Sequence, residues 1–179
     1  RNGVTFIPNG IPAAASPENQ PEDVRPSHPG LAMRFGPDDD LVEAKRANLA
    51  KFQRRTGLRQ NPNGILLYWP SCLDPAHQGI ELLEAIAQRF VDEHADVQIA
   101  VVGDPVGPDR SHAEVMGRLA SASGGRIAVH RFDPDLSMLG YAAAADVFGA
   151  SLVEPSGRID VMGNLYGATA TNRATGGHK

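Results

Sequence analysis

The sequence predicts an α/β domain: a Rossmann-like parallel sheet with helices on both faces. Between residues 64 and 172, short apolar runs alternate with segments whose apolar residues recur at helical spacing. Each such unit is long enough for a right-handed crossover between parallel strands. The 179 residues are 41% hydrophobic and 21% charged, enough for one sizeable core but for little more than one domain.

The elements follow in order. Residues 4–7 read as a short strand, closed by the turn signal Pro8-Asn9-Gly10. Residues 11–37 carry Pro12, Pro17, Pro21, Pro26, Pro29 and Pro37 with almost no apolar period, which predicts an extended interdomain connector lying loosely along the sheet edge. Residues 1–37 are therefore set apart as strand and connector, and residues 38–179 as the α/β domain. Asp38-Asp-Asp40 caps a helix carrying Leu41, Ala44, Ala47, Leu49 and Phe52, and Gly57 ends it. Residues 64–69 form an apolar run suited to a strand covered on both faces. Ile80, Leu83, Ala87 and Phe90, with Leu82, Ile86 and Val91 beside them, predict the next helix. Strands are expected at 97–102, 126–130, 146–150 and 168–172, and helices at 112–122, 136–144 and 158–166. Trp69, Phe90 and Phe148 are read as core.

Composition narrows the function. Seventeen Lys plus Arg against twenty-one Asp plus Glu give a net charge of -4, with no basic cluster denser than residues 51–55, which argues against a nucleic-acid partner. Apolar runs are too short for a membrane helix, so no membrane partner is expected. The single cysteine, Cys72, excludes an internal disulfide and fits a reducing cytoplasm. His28, His77, His94, His112, His130 and His178 show no metal-ligand spacing, and neither a metal nor a cofactor is expected. Neither end of the sequence reads as a natural terminus, so a fragment is expected, cut short at its C-terminus.

Ligands of open parallel sheets bind beyond the strands' C-terminal ends. The candidate loops are therefore 70–79, 103–108, 131–135, 152–157 and 172–177. Leu152-Val-Glu-Pro-Ser-Gly157 leads into a helix whose unpaired N–H groups favour phosphate, and Glu154 is placed either to accept hydrogen bonds from a sugar or to cap the helix. Trp69-Pro-Ser-Cys-Leu-Asp-Pro-Ala-His-Gln-Gly79 has the same strand-to-helix topology. A dinucleotide-dependent oxidoreductase also fits an α/β pattern, but no Gly-x-Gly-x-x-Gly follows the first strand, and Gly103-Asp-Pro-Val-Gly107 places a proline where a helix should begin.

Five pieces in family order resemble the glycogen and starch synthases, retaining glycosyltransferases of the two-domain GT-B architecture. Asn9-Gly10-Ile11 is similar to the entry into the C-terminal domain, and residues 69–79 to Trp-Pro-Ser-Arg-Leu-Asp-Pro-Val-Gln-Lys-Gly. Tyr141-Ala-Ala-Ala-Ala-Asp146 resembles Tyr-Ala-Gly-Ala-Asp, Glu154-Pro-Ser-Gly157 resembles Glu-Pro-Cys-Gly, and residues 167–177 resemble Tyr-Gly…Arg-x-Thr-Gly-Gly. The resemblance implies the C-terminal, nucleotide-sugar-binding half of such an enzyme. It also implies transfer of glucose from ADP-glucose or UDP-glucose to an α-1,4-glucan, against a partner N-terminal domain.

By position, the resemblance makes Glu154 the catalytic contact to glucose. Backbone N–H groups of Ser156, Gly157 and Arg158 hold glucose and phosphate, Phe132 lies near the base, and Thr175, Gly176 and Gly177 line the sugar end. Cys72, Gln78 and Gly79 form the phosphate loop, and there the sequence departs from the family: Cys72 stands for its Arg and Gln78 for its Lys. Cys72 is read as a passive replacement, not a reactive thiol. The resemblance implies a hexosyltransferase, but the isolated chain, without the N-terminal domain and those cations, is expected to be inactive. The lost cations also leave a second reading, a degenerate, non-catalytic glucan- or nucleotide-binding module.

Overall fold

The computed structural model describes residues 10–107, 111–154 and 157–175. The strand expected at residues 4–7 lies outside them. The element order is α1 (Leu41–Thr56), β1 (Ile65–Trp69), α2 (Ile80–Glu93), β2 (Val97–Val102), α3 (Ser111–Ala122), β3 (Ile127–His130), α4 (Pro134–Ala143), β4 (Asp146–Gly149), α5 (Arg158–Leu165) and β5 (Thr169–Asn172). The five strands form one sheet in the order β3-β2-β1-β4-β5, and every pairing is parallel.

Local chemistry sets the helix ends. The Asp40 carboxylate accepts hydrogen bonds from the Val42 and Glu43 N–H groups at 3.0 and 3.1 Å and opens α1, which stops at Gly57. Asp133 opens α4 in the same way, accepting from Leu136 N–H at 2.7 Å.

Alternation along the buried strands divides the core in two. Ile99 and Val101 of β2 pack with Trp69 against Ile80, Leu83, Ala87 and Val91 of α2 and Met116 of α3. Ala100 and Val102 pack on the other face with Leu66 and Tyr68, against α1, α4 and Met162 of α5. Both faces are apolar, which is why the strands read as unbroken apolar runs. Of the apolar residues expected on α2, Leu82 and Ile86 instead face solvent and Phe90 is half-buried. Trp69 is buried and meets the Phe148 ring edge-on at 5.3 Å.

The proline-rich segment is not loose. Leu31 and Phe35 are buried in the core beside α1, and the Asn48 side chain accepts from Ala32 N–H and donates to the Met33 carbonyl, both at 2.8 Å. The Lys51 ammonium donates to the carbonyls of Asp23 and Gly30 at 2.5 and 2.8 Å. A segment without hydrophobic period is thus held by two apolar anchors and by buried polar side chains that satisfy its backbone.

Lys45 fastens α1 to the end of α4, donating to the carbonyls of Ala144 at 2.7 Å and Tyr141 at 3.2 Å. Burial pulls its ammonium from 10.5 down to about 7. Between those values the unfolded chain binds a proton that the folded chain does not, so stability from this site rises with pH through that window. Urea denaturation at about pH 6.5 and about pH 9 should therefore show a larger gain in stability on going alkaline for the wild type than for Lys45→Met. Equal gains would contradict it.

Candidate functional site

Because all the pairings are parallel, the loops after the strands gather at one edge, and loop 70–79 is their hub. On one side it meets the exit of β2: Leu73 N–H donates to the Asp104 carbonyl at 3.0 Å and Val106 N–H to the Leu73 carbonyl at 3.3 Å. A Cβ on Gly103 would overlap the Ser71 carbonyl oxygen. On the other side it meets the exit of β4, where the His77 carbonyl accepts from Leu152 and Val153 N–H at 2.7 and 3.2 Å. Gly79, at φ 67°, opens α2, and a Cβ there would stand 2.7 Å from the Ala150 carbonyl oxygen.

Gln78 closes the hub. Its amide oxygen accepts from the Ser71 hydroxyl at 2.7 Å and the Ser151 hydroxyl at 2.8 Å, joining the β1 and β4 loops through side chains. Within the loop, His77 Nδ1 lies 2.7 Å from the Asp74 carboxylate, and that hydrogen bond is the main cause holding the Asp74 carboxyl below its usual range. The β5 exit joins through Thr175, whose hydroxyl donates to the Leu152 carbonyl at 3.2 Å. Asp104 and Arg131 pair at 2.8 Å across the β2 and β3 exits.

Glu154, Gly157 and Arg158 form the second wall. Glu154 is buried, and its carboxylate accepts from Gly157 N–H at 2.9 Å, so it fastens the turn that begins α5. Gly157, at φ 63°, carries no side chain to cap the helix. Two cavities lie along this edge. One, about 400 Å³, is lined by Pro70, Phe132, Tyr141, Arg158 and Met162 among others. The other, about 340 Å³, is lined by Pro70, Ser71, Cys72, Gly103, Asp104 and Phe132. Pro70 and Phe132 border both, so Cys72 and Arg158 stand on opposite sides of one shared rim. Burial holds the Tyr141 phenol far above its ordinary range, and the Arg158 charge draws it down while that of Glu154 raises it.

The structure thus brings Cys72, Gln78, Gly79, Phe132, Glu154, Gly157, Arg158 and Thr175 to one edge. Ser156, Gly176 and Gly177 lie outside the described residues. Sequence reasoning missed Ser71 and Ser151, which hold Gln78, and Tyr141 as a cavity wall. Ser151 sits just past a strand end, which was the available signal. Among the described residues no group of His, Cys, Asp and Glu is placed to hold a metal ion, and no helix is long and apolar enough to cross a membrane.

Comparison with known proteins adds the family context. The chain is 29% identical over 143 residues to starch synthase 3, chloroplastic/amyloplastic, of Arabidopsis thaliana, covering 78% of this chain and 13% of that protein. In structure it is similar to the catalytic domain of Arabidopsis thaliana starch synthase IV, bound to ADP and acarbose, with a TM-score of 0.72 and 21% identity over 92% of this chain and 31% of that one. The chain resembles the starch synthases in sequence and the GT-B glycosyltransferases in fold. WaaG, a glycosyltransferase of lipopolysaccharide biosynthesis, is similar with a TM-score of 0.60 at 17% identity, over 97% of this chain and 39% of that one. Anabaena HepE in complex with UDP-glucose gives 0.58 at 22% identity, over 73% of this chain and 35% of that one. No family model matches the sequence. The chain therefore spans less than a third of the starch synthase IV catalytic domain and about an eighth of starch synthase 3.

The hub depends on backbone approach at Gly103. Gly103→Ala is expected to lower stability by about 1–3 kcal/mol, the usual cost of overpacking. It should also speed amide exchange of residues 71–79 more than that of β2 itself. Unchanged exchange in that loop would contradict the close contact.

Proposed function

We propose that this chain is the donor-side half of a starch synthase-like glycosyltransferase, moving glucose from ADP-glucose or UDP-glucose to an α-1,4-glucan with retention at the anomeric carbon. The observation that carries this reading is the convergence of two helix N-termini, those of α2 and α5, on one edge through the glycines Gly79 and Gly157. Their first N–H groups offer partial positive charge to a diphosphate. Starch synthase IV bound to ADP and HepE bound to UDP-glucose, which share the fold, support the ligand class.

In this reading Phe132 packs against the base, and the Gly157 and Arg158 N–H groups meet glucose and phosphate together with Ser156. Thr175, Gly176 and Gly177 line the sugar end. Glu154, fastened to Gly157, turns its carboxylate to the glucose, where it stabilises positive charge gathering at the anomeric carbon as the diphosphate departs. The glucan acceptor and the facing wall belong to a second domain outside these 179 residues.

Gln78 favours a second reading, a module that binds nucleotide or glucan without turnover. It stands where the resembled family has Lys, and its neutral oxygen is engaged by Ser71 and Ser151. A Lys side chain extends one bond further and would carry charge beyond those hydroxyls. Cys72, exposed on the same loop, supplies no charge-assisted donor where the family has Arg.

Calorimetric titration with ADP and UDP separates the outcomes. The chain is expected to bind at least one of the two while transferring no measurable glucose to glycogen alone. Cys72→Arg with Gln78→Lys should tighten ADP binding by about one to three decades, since charge-assisted hydrogen bonds contribute about 1.5–3 kcal/mol each before ordering costs. Absence of binding by the wild type and the double variant alike would overturn the glycosyltransferase reading and the nucleotide-binding form of the second. Turnover by the unmodified chain would overturn the non-catalytic one.

A further inference from the structure

The phosphate loop lacks the two family cations, yet the opposite wall carries one that the family comparison does not account for. Arg158 is the first residue of α5, at the positive end of the helix dipole, where cations are disfavoured and acids usual. α1 and α4 follow the usual rule, opening behind Asp40 and Asp133. Among the described residues the exposed Arg158 guanidinium forms no ion pair. Asp160 in the first turn and Glu154 at the Gly157 N–H lie near it without forming a salt bridge to it, so the guanidinium keeps its donors for an anion bound beside it.

A second donor stands on the same wall. Tyr141 is only 7% exposed and lines the 400 Å³ cavity with Arg158, and among the described residues its hydroxyl makes no hydrogen bond. Solvent reaches that oxygen from the cavity, so it is free to donate to a ligand bound there. Burial keeps the phenol protonated, so it is a donor across the physiological range, and the fields of Arg158 and Glu154 both reach it. One charged and one neutral donor line the same cavity, and the nearby Glu154 carboxylate accepts from Gly157 N–H, so the pair suits an oxyanion. The cavity runs past Phe132 and Pro70 to the side of Cys72, so the anion would lie between this wall and the phosphate loop.

We infer that Arg158, seconded by Tyr141, is the cation that binds the diphosphate of the nucleotide sugar here, replacing from α5 the charge that Cys72 and Gln78 do not supply from loop 70–79. The inference rests on the nucleotide-sugar reading and narrows it. Affinity for the donor comes from the α5 wall, and the ligand must carry phosphate there.

The test is titration of wild type, Arg158→Gln and Tyr141→Phe with inorganic pyrophosphate, ADP, UDP and adenosine, followed by calorimetry or amide shifts. Arg118→Gln on α3 controls for overall charge. Arg158→Gln should weaken pyrophosphate and whichever nucleotide binds by roughly tenfold to a hundredfold, and Tyr141→Phe by roughly threefold to tenfold, with adenosine unchanged. Arg118→Gln should change none of them beyond twofold or so. Unchanged pyrophosphate affinity in Arg158→Gln, or no pyrophosphate binding by the wild type, would overturn the inference. Loss of adenosine equal to that of ADP would overturn it too, placing Arg158 on the nucleoside. Pyrophosphate bound through Arg158 with neither ADP nor UDP bound would overturn the nucleotide-sugar reading, and with it the assignment of the diphosphate to a nucleotide, and leave Arg158 as the cation for another anion.

Discussion

One loop lies in backbone contact with both of its neighbours, and the candidate site depends on that contact. Loop 70–79 can approach the β2 exit only because Gly103 has no side chain, and the β4 exit only because Gly79 has none. From these approaches follow the Leu73–Asp104 and His77–Leu152 hydrogen bonds and the Ser71–Gln78–Ser151 clamp. The Gln78–Ser151 bond spans 73 residues of sequence, so the loop is rigid through tertiary contacts and not through local propensity. A site for a small anion needs such rigidity, since geometry fixed before binding need not be ordered during it.

The helices divide the charge of the two sheet edges. Each crossover helix runs antiparallel to the strands, so its N-terminus lies at the edge where strands end and its C-terminus at the other. At the far edge a cavity of about 410 Å³ is lined by Leu41, Lys45, Gly64, Ala144 and Gly167. The amino group there is already engaged, since Lys45 donates to carbonyls at the end of α4, and burial disfavours its charged form. At the near edge, Gly79 and Gly157 leave the starts of α2 and α5 without a cap from their own side chains, and Arg158 adds charge to one of them. α1 runs the other way, with Leu41 at the far edge, but Asp40 caps its N–H groups, so free helix N–H groups and a cation unpaired among the described residues favour an anion at the near edge.

Most of the architecture was legible in the sequence because a buried parallel sheet writes itself as apolar runs separated by helical period. Strands such as residues 64–69 and 97–102 were read within a residue of their observed bounds. The proline-rich segment was not, because Leu31 and Phe35 anchor it without any period, and the Asn48 and Lys51 side chains that hold it belong to another element. For α2, the apolar Leu82 and Ile86 suggested a broader buried face than the sheet has room to cover. Glu154 was recognised both as a sugar contact and as a helix fastener, and the bond to Gly157 shows the second role built in. The Gln78 clamp and the Tyr141 cavity wall depend on residues distant in sequence, so neither was visible before the fold.

The reading proposed for this sheet edge is that it receives a nucleoside diphosphate. Backbone amide shifts of the isotope-labelled chain, recorded while ADP or UDP is added, test it most directly. Perturbations are expected to concentrate in residues 71–79, 103–104, 132, 152–158 and 172–175, saturating together with a single affinity. Perturbations centred instead on residues 41–46, 64 and 143–145 at the opposite edge, or none with either nucleotide, would contradict it.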